Sequence, residues 1–294
     1  MSDNKQALIA VALAIVYVFG GIATGVLRPK EEPREVAVTV DSPPVYAHIF
    51  SYGQSISVGM MSIRVLSGEQ PFGNLMFSEG VRVPGTGEGF LPTSFSPLVE
   101  SRRAFRGETP TSGALNYLVE LIQRETRLPW RKQRTRYIGS APGQSDQTIA
   151  RLGKGSERWS VVMAQIRAAK ALADRVGREY KVAAMMWSQG ESDYEEQTSR
   201  EEYREQFLQM YEDFADEVMA ITGQVEKPVI VSYQLASHRV LERANPGIAL
   251  ALKDAADAHP NIYLSHPMYH LNYARGGANL MSDSTLLMGK YYGK

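Results

Sequence analysis

Apolar runs of strand length alternate along most of the chain with stretches that carry apolar residues at helical spacing. The run from Val182 to Trp187 is apolar at nearly every position, which is typical of a parallel strand covered on both faces. The predicted strands cover 45–50, 136–139, 182–187, 228–234 and 261–264. The predicted helices cover about 159–176, 199–223, 245–258 and 282–292. This alternation predicts a three-layer α/β/α sandwich with a mainly parallel, flavodoxin-like sheet, and places ligands at the carboxyl ends of the strands.

Residues 60–110 do not follow this alternation. They contain the glycines of Val83-Pro-Gly-Thr-Gly-Glu-Gly-Phe90, but the spacing is not that of a nucleotide-binding loop and no strand–helix junction surrounds them. A long irregular insertion of this kind is expected to shape a substrate cleft.

The N-terminal segment lacks the polar residues of a globular surface. Ala7 to Leu27 contains no charged residue, and a helix of that length spans ~30 Å, the thickness of a bilayer core. We therefore expect residues 1–27 to form one transmembrane helix and to place the protein at a membrane. A cleaved signal peptide and a buried core helix are the alternatives. Lys5 precedes the run and Arg28 follows it, so the flanking charges do not decide which side of the membrane the domain occupies. The location could be an envelope, the periplasmic side or a virion membrane.

Residues 28–44 are predicted to form a linker, because four prolines stand there among charged residues. Extended proline-rich chain could hold a domain up to ~50 Å from the membrane. The remaining residues, 45–294, are predicted to form one domain.

Composition narrows the function classes. The chain has 32 basic and 32 acidic residues and a formal net charge of zero, so it lacks the excess of basic residues that favours a nucleic-acid partner. It has no cysteine, which excludes disulfides, zinc–thiolate sites and thiol nucleophiles.

Three polar segments follow predicted strands. Gly53-Gln54-Ser55 ends the first strand, where a serine projects into a cleft or simply caps a helix. The third strand runs into Trp187-Ser-Gln-Gly-Glu-Ser-Asp193. Burying polar residues at the end of a strand costs free energy, which indicates that they have a polar role. Gly139-Ser-Ala-Pro-Gly143-Gln-Ser145 lies between these two segments.

Together these segments resemble the sialate O-acetylesterase-like branch of the SGNH hydrolases, a group of carbohydrate esterases. The resemblance implies that Ser55 is the nucleophile and that Gln189 and the Ser55 N–H bind the oxyanion. It also implies that Glu191 and Asp193 organise the site. Donors of this kind are worth ~3–4 kcal/mol each in the transition state. The candidate oxyanion and substrate-binding residues are Gly53, Gln54, Gly143, Gln189, Gly190, Glu191, Asp193, His238 and Asn279. The family needs no metal or organic cofactor, and the implied partner is an acetylated glycan.

Three positions depart from the family pattern. Asn279 stands where the family has its general-base histidine, and Gly276 stands where it has the aspartate. Losing the base of a serine triad can lower turnover by ~10⁶-fold. Asp146 replaces a glycine-rich stretch and would repel an oxyanion if it pointed inward.

Other histidines could take over the missing role. His270, nine residues before Asn279, is the candidate base, and His266 is a weaker one. His238 follows another strand end and could contact substrate. His48 and His259 are interpreted as structural.

Three functions follow from these observations. The first is a serine esterase that removes acetyl groups from carbohydrate through an acyl-serine. The second is a domain that keeps the cleft but binds glycans without cleaving them. The third is a structural component of an envelope or virion.

Overall fold

The computed structural model describes residues 44–83, 92–240, 245–275 and 277–294. Its seven strands are β1 Val45–Gly53, β2 Leu75–Phe77, β3 Phe95–Pro97, β4 Thr135–Ser140, β5 Glu179–Ser188, β6 Val229–Gln234 and β7 Ile262–Pro267. Its helices are α1 Pro110–Thr126, α2 Glu157–Arg175, α3 Glu191–Glu195, α4 Arg200–Thr222, α5 Ser237–Val240, α6 Gly247–Ala258 and α7 Ser282–Tyr292. Short 3-10 helices cover Ser55–Val58, Trp130–Lys132 and Ile149–Arg151.

The strands form one sheet in the order β3-β2-β4-β1-β5-β6-β7. From β2 to β7 every pairing is parallel, whereas β3 pairs antiparallel with β2 at the edge. β1 therefore lies between β4 and β5, and the carboxyl ends of these three strands meet at one edge of the sheet. This arrangement brings the three polar segments together.

The helices form two groups. α1 packs against α7, while α4 packs against both α2 and α6. Side-chain caps fix where several of them begin: Thr109 accepts a hydrogen bond from the backbone of Thr111, Ser156 from Trp159, and Ser199 from Glu202. Between the layers, the bulky side chains of Phe50, Tyr52 and Trp187 are almost completely buried.

The fold prediction needs correction at the sheet edge. The sheet is mixed, because the region expected to be irregular, 60–110, contributes β2 and the antiparallel β3. Each strand has only three residues, too few for an alternating pattern to stand out in the sequence. The sequence pattern also missed α1, which buries Ala114, Leu115 and Val119 among polar residues.

The predicted transmembrane helix is not borne out. Residues 1–27 lie outside the described part of the chain, as do all residues of the predicted linker except Pro44. Among the helices that the structure describes, none has the length and apolar character needed to cross a membrane. The localisation inferred from the N-terminal segment stays a prediction.

Candidate active site

Ser55 lies at the carboxyl end of β1, in the first position of the 3-10 helix Ser55–Val58. The turn into this helix depends on Gly53, whose φ of 134° is rare for residues with a side chain. A Cβ at Gly53 would lie 2.1 Å from the Ser188 carbonyl oxygen, so β1 and β5 approach closely here. Ser55 is half-buried, and its hydroxyl forms no hydrogen bond with any residue that the structure describes.

The side chain of Gln54 connects the Ser55 segment to the segment that follows β5. Gln54 Nε2 donates to Glu191 Oε2 at 2.8 Å, and Gln54 Oε1 accepts from the Ser192 N–H at 3.3 Å. The other Glu191 oxygen accepts from the hydroxyls of Tyr233 at 3.3 Å and Ser237 at 3.0 Å. Burial raises the pKa of Glu191 to about 7. The carboxylate thus joins the ends of β1, β5 and β6.

Gln189 is fully buried, and both hydrogens of its amide are taken. Its Nε2 donates to the Gln147 carbonyl at 3.0 Å and to Asp193 Oδ2, while its Oε1 accepts from the Tyr203 hydroxyl at 2.7 Å. Gln189 therefore presents no free donor for an oxyanion. In this structure it ties the end of β5 to the loop after β4.

Asp193 also connects the segment after β5 to the loop after β4. Its carboxylate accepts from the Ile149 N–H at 3.0 Å, from the Thr198 hydroxyl at 3.0 Å and from Gln189. Burial raises the pKa of Asp193, and these hydrogen bonds oppose that shift. The Asp193 carboxylate thus connects α3 to the backbone of the loop after β4.

Gly143 packs directly against the Ser55 segment. A Cβ there would lie 2.0 Å from Ser57 Oγ and 2.6 Å from the Gly53 carbonyl oxygen, so only glycine fits. The next residue, Gln144, donates its N–H to that same carbonyl at 2.9 Å. Gly190 has a φ of 145° and begins α3. The structure thus brings Gly53, Gly143 and Gly190 to one edge of the sheet.

A family model described as carbohydrate esterase, sialic acid-specific acetylesterase, matches residues 135–264. The resemblance to sialate O-acetylesterase-like carbohydrate esterases is confirmed. The matched residues include Gly143, Gln189 and Asp193, whereas Ser55 and Asn279 lie outside them. The family supports an esterase function for the chain. By sequence, no curated protein matches it.

Solved structures are similar in fold. A protein of Arabidopsis thaliana is 14% identical with a TM-score of 0.58, over 85% of this chain and 97% of that one. Est24, a carbohydrate acetylesterase from Sinorhizobium meliloti, is 10% identical with a TM-score of 0.45, over 84% and 96% of the two chains. An aryl esterase of M. smegmatis is 9% identical with the same TM-score and coverage. The likeness to the Arabidopsis protein shows the fold alone.

A serine nucleophile is activated by an adjacent base, but none of the five histidines forms a hydrogen bond with Ser55. His270, the predicted base, is exposed and its Nε2 lies 3.1 Å from the Tyr291 hydroxyl. Burial lowers the pKa of His266 to about 3; its Nδ1 contacts Ser265 Oγ at 2.8 Å.

The remaining histidines have other surroundings. His238 is buried between the rings of Tyr194 and Tyr269, its Nδ1 has no hydrogen-bond partner, and burial lowers its pKa. His48 lies inside the sheet and contacts Tyr180 and Ser140, and His259 contacts Glu212 and the Asn261 N–H. The positions of His48 and His259 are those of structural histidines.

Two of the three departures from the esterase pattern, Asn279 and Asp146, have different surroundings, and the third, Gly276, lies outside the described residues. Asn279 is half-buried, and its Oδ1 is enclosed without a hydrogen-bond partner. Asp146 is exposed, with a φ of 59°, so its carboxylate does not point into the protein. Among the described residues, no three His, Asp or Glu side chains group as metal ligands would.

Sequence reasoning missed the hydroxyl groups that hold the site together. Tyr203, Tyr233 and Ser237 bind Gln189 or Glu191, although they lie on α4, at the end of β6 and on α5. Tyr203 and Tyr233 occupy apolar positions of their elements, so in sequence they are indistinguishable from core residues. Only Ser237 could have been suspected from the sequence, because it lies just after the end of a predicted strand.

Proposed function

We propose that the chain is a serine carboxylic-ester hydrolase that removes acetyl groups from carbohydrate, with Ser55 as its nucleophile. One observation carries this proposal: the Ser55 hydroxyl is half-buried and forms no hydrogen bond, on a turn that Gln54 and Glu191 fix in place. Serines that merely cap a helix use their hydroxyl to accept a backbone N–H, and Ser55 accepts none.

The chemistry at Ser55 follows the acyl-enzyme scheme. The hydroxyl oxygen attacks the acetyl carbonyl, its proton leaves, and the sugar oxygen departs as an alcohol once it takes up a proton. Water then attacks the acetyl-serine, releases acetate and restores the hydroxyl. The backbone N–H groups of Ser55 and Gly143 are the donors proposed for the oxyanion, since neither donates to another described residue.

Acetate release by the full chain tests the proposal. We expect hydrolysis of O-acetylated sugars and of p-nitrophenyl acetate to fall at least ~10³-fold in Ser55→Ala, because loss of the nucleophile removes the covalent route. Ser160→Ala is the matched control, since Ser160 is an exposed serine on α2 that bonds only to Ser156. A fluorophosphonate probe should label Ser55. Equal activity of Ser55→Ala and Ser160→Ala would show that the mechanism is wrong.

A second candidate function is glycan binding without turnover. It is favoured by the lack of a hydrogen bond between Ser55 and any of the five histidines, all of which the structure describes. Measurable affinity for acetylated glycans, together with no acetate release and no probe labelling of Ser55, would favour this candidate.

A further inference from the structure

A cleft of about 480 Å³ opens between the chain that follows the Ser55 helix and the chain that precedes α7. Its walls include Met61 and Arg64 on one side, and Tyr273, Arg275 and Met281 on the other. Met60, which directly precedes the lining residue Met61, donates its N–H to the Ser55 carbonyl at 2.9 Å. We call this feature the arginine cleft.

A tight hairpin lies beside the cleft. Arg103 and Arg106 exchange two backbone hydrogen bonds, of 2.8 and 3.0 Å, and Phe105 lies at the tip with 65% of its surface exposed. The Phe105 carbonyl accepts the Met61 N–H at 2.8 Å, so the hairpin lies directly beside the cleft wall.

Four arginines of this surface have no partner. Arg64, Arg102, Arg103 and Arg275 are exposed, and their side chains form no ion pair or hydrogen bond with any described residue. Arg64 and Arg275 line the cleft, and none of its described lining residues is acidic. Asp283, in the first turn of α7, is the acidic residue closest to the cleft in sequence.

Apolar side chains stand among these charges. Met61 and Met281 are 38% and 51% exposed. Met61 also has a φ of 62°, a conformation that is unfavourable for a residue with a side chain and that the neighbouring Phe105 carbonyl helps to hold. The C–H faces of sugar rings pack on exposed apolar and aromatic side chains, while guanidinium groups bind carboxylate, sulfate or phosphate in a bidentate manner.

We propose that the arginine cleft and the Phe105 hairpin bind an extended, negatively charged glycan chain, which they hold beside Ser55. The choice of a glycan rests on the proposed function, whereas the negative charge follows from the four unpaired arginines. Arg64 and Arg275, on opposite walls, bind the anionic groups, and the methionines and Phe105 contact the rings between them.

Binding of polygalacturonate to the full chain tests this inference. We expect saturable binding that weakens as salt rises, because exposed charges are screened. Neutral dextran should not bind. The double variant Arg64→Gln/Arg275→Gln should bind polygalacturonate roughly tenfold more weakly or worse, since each replacement removes a charged hydrogen-bond donor.

The control variant is Arg127→Gln/Arg167→Gln, which removes two exposed arginines that also form no ion pair and lie outside the cleft. Its affinity should equal that of the parent protein. Equal affinities of the two double variants would overturn the inference. Binding to phosphatidylglycerol vesicles but not to polygalacturonate would also overturn it, in favour of a lipid.

Binding and turnover separate this inference from the proposed function. If Ser55→Ala loses activity while the cleft variant binds like the control, the inference alone fails. If Ser55→Ala keeps full activity while the cleft variant loses affinity, the proposed nucleophile alone fails.

Discussion

The side-chain amide of Gln54 donates a 2.8 Å hydrogen bond to the buried carboxylate of Glu191. These residues are 137 positions apart in the sequence, and their contact joins the segment that carries Ser55 to the segment that follows β5. The position of the proposed nucleophile therefore depends on a carboxylate that follows a different strand.

Glu191→Gln should destabilise the protein by about 1–3 kcal/mol at pH 8. Glu191 accepts from Gln54 on one oxygen and from Tyr233 and Ser237 on the other. An amide that turns its NH₂ group toward Gln54 opposes another donor, and one that turns it toward Tyr233 and Ser237 forces both hydroxyls to give up donating and accept instead. Urea denaturation measures the change, with the exposed Glu205→Gln as control. Equal stability of the two variants would contradict the proposed role of the carboxylate.

Gly53→Ala should yield little folded protein. The substitution combines an unfavourable φ with a Cβ that would lie 2.1 Å from the Ser188 carbonyl oxygen. Gly155→Ala is the matched control, because Gly155 also has a positive φ, 88°, but nothing lies within 4 Å of an added Cβ. The control should cost about 1–2 kcal/mol. Soluble yield and melting temperature give the comparison, and similar values for both variants would show that the close approach of β1 and β5 is not required.

Glu100 should make stability depend on pH. Burial raises its pKa to about 7 from an ordinary 4.5, although Arg82 opposes the shift. The folded protein therefore binds a proton that the unfolded chain releases, and this contribution is present below pH 4.5 and lost as the pH rises through about 7. Glu100→Gln cannot titrate, so the difference in unfolding free energy should shift in favour of the variant between pH 5 and pH 8. A constant difference over this range would contradict the raised pKa.

Asn279→His should raise acetate release at least ~10-fold if the resemblance places the base correctly, since a general base contributes ~10²–10⁴-fold. The Asn279 Oδ1 atom is enclosed without a partner, so it has no hydrogen bond to lose. Asn272→His, at an exposed position of the same loop, controls for adding an imidazole nearby. Initial rates of acetate release across pH 5–9 would show the new ionisation. Equal rates for both variants would favour glycan binding without turnover.

Most of the parallel strands and amphipathic helices could be predicted from the sequence. The strand β5 and the helix α4 are long, and each follows from residues close together in the chain. The strands β2 and β3 could not be predicted, because three residues are too few to show an alternating pattern. The helix α1 was missed although its 17 residues carry an apolar face.

The sequence by itself determined that polar segments follow three of the strands, with Ser55, Gln189 and Asp193 among their residues, and which family these segments resemble. Only the tertiary structure decided what each side chain does, because hydrogen-bond partners come from distant elements. It showed that the Gln189 amide is fully occupied by Gln147, Asp193 and Tyr203, and that His270 contacts Tyr291 rather than Ser55. A motif specifies residue types along the chain, whereas a free donor or a bound base depends on what the fold places within hydrogen-bonding distance.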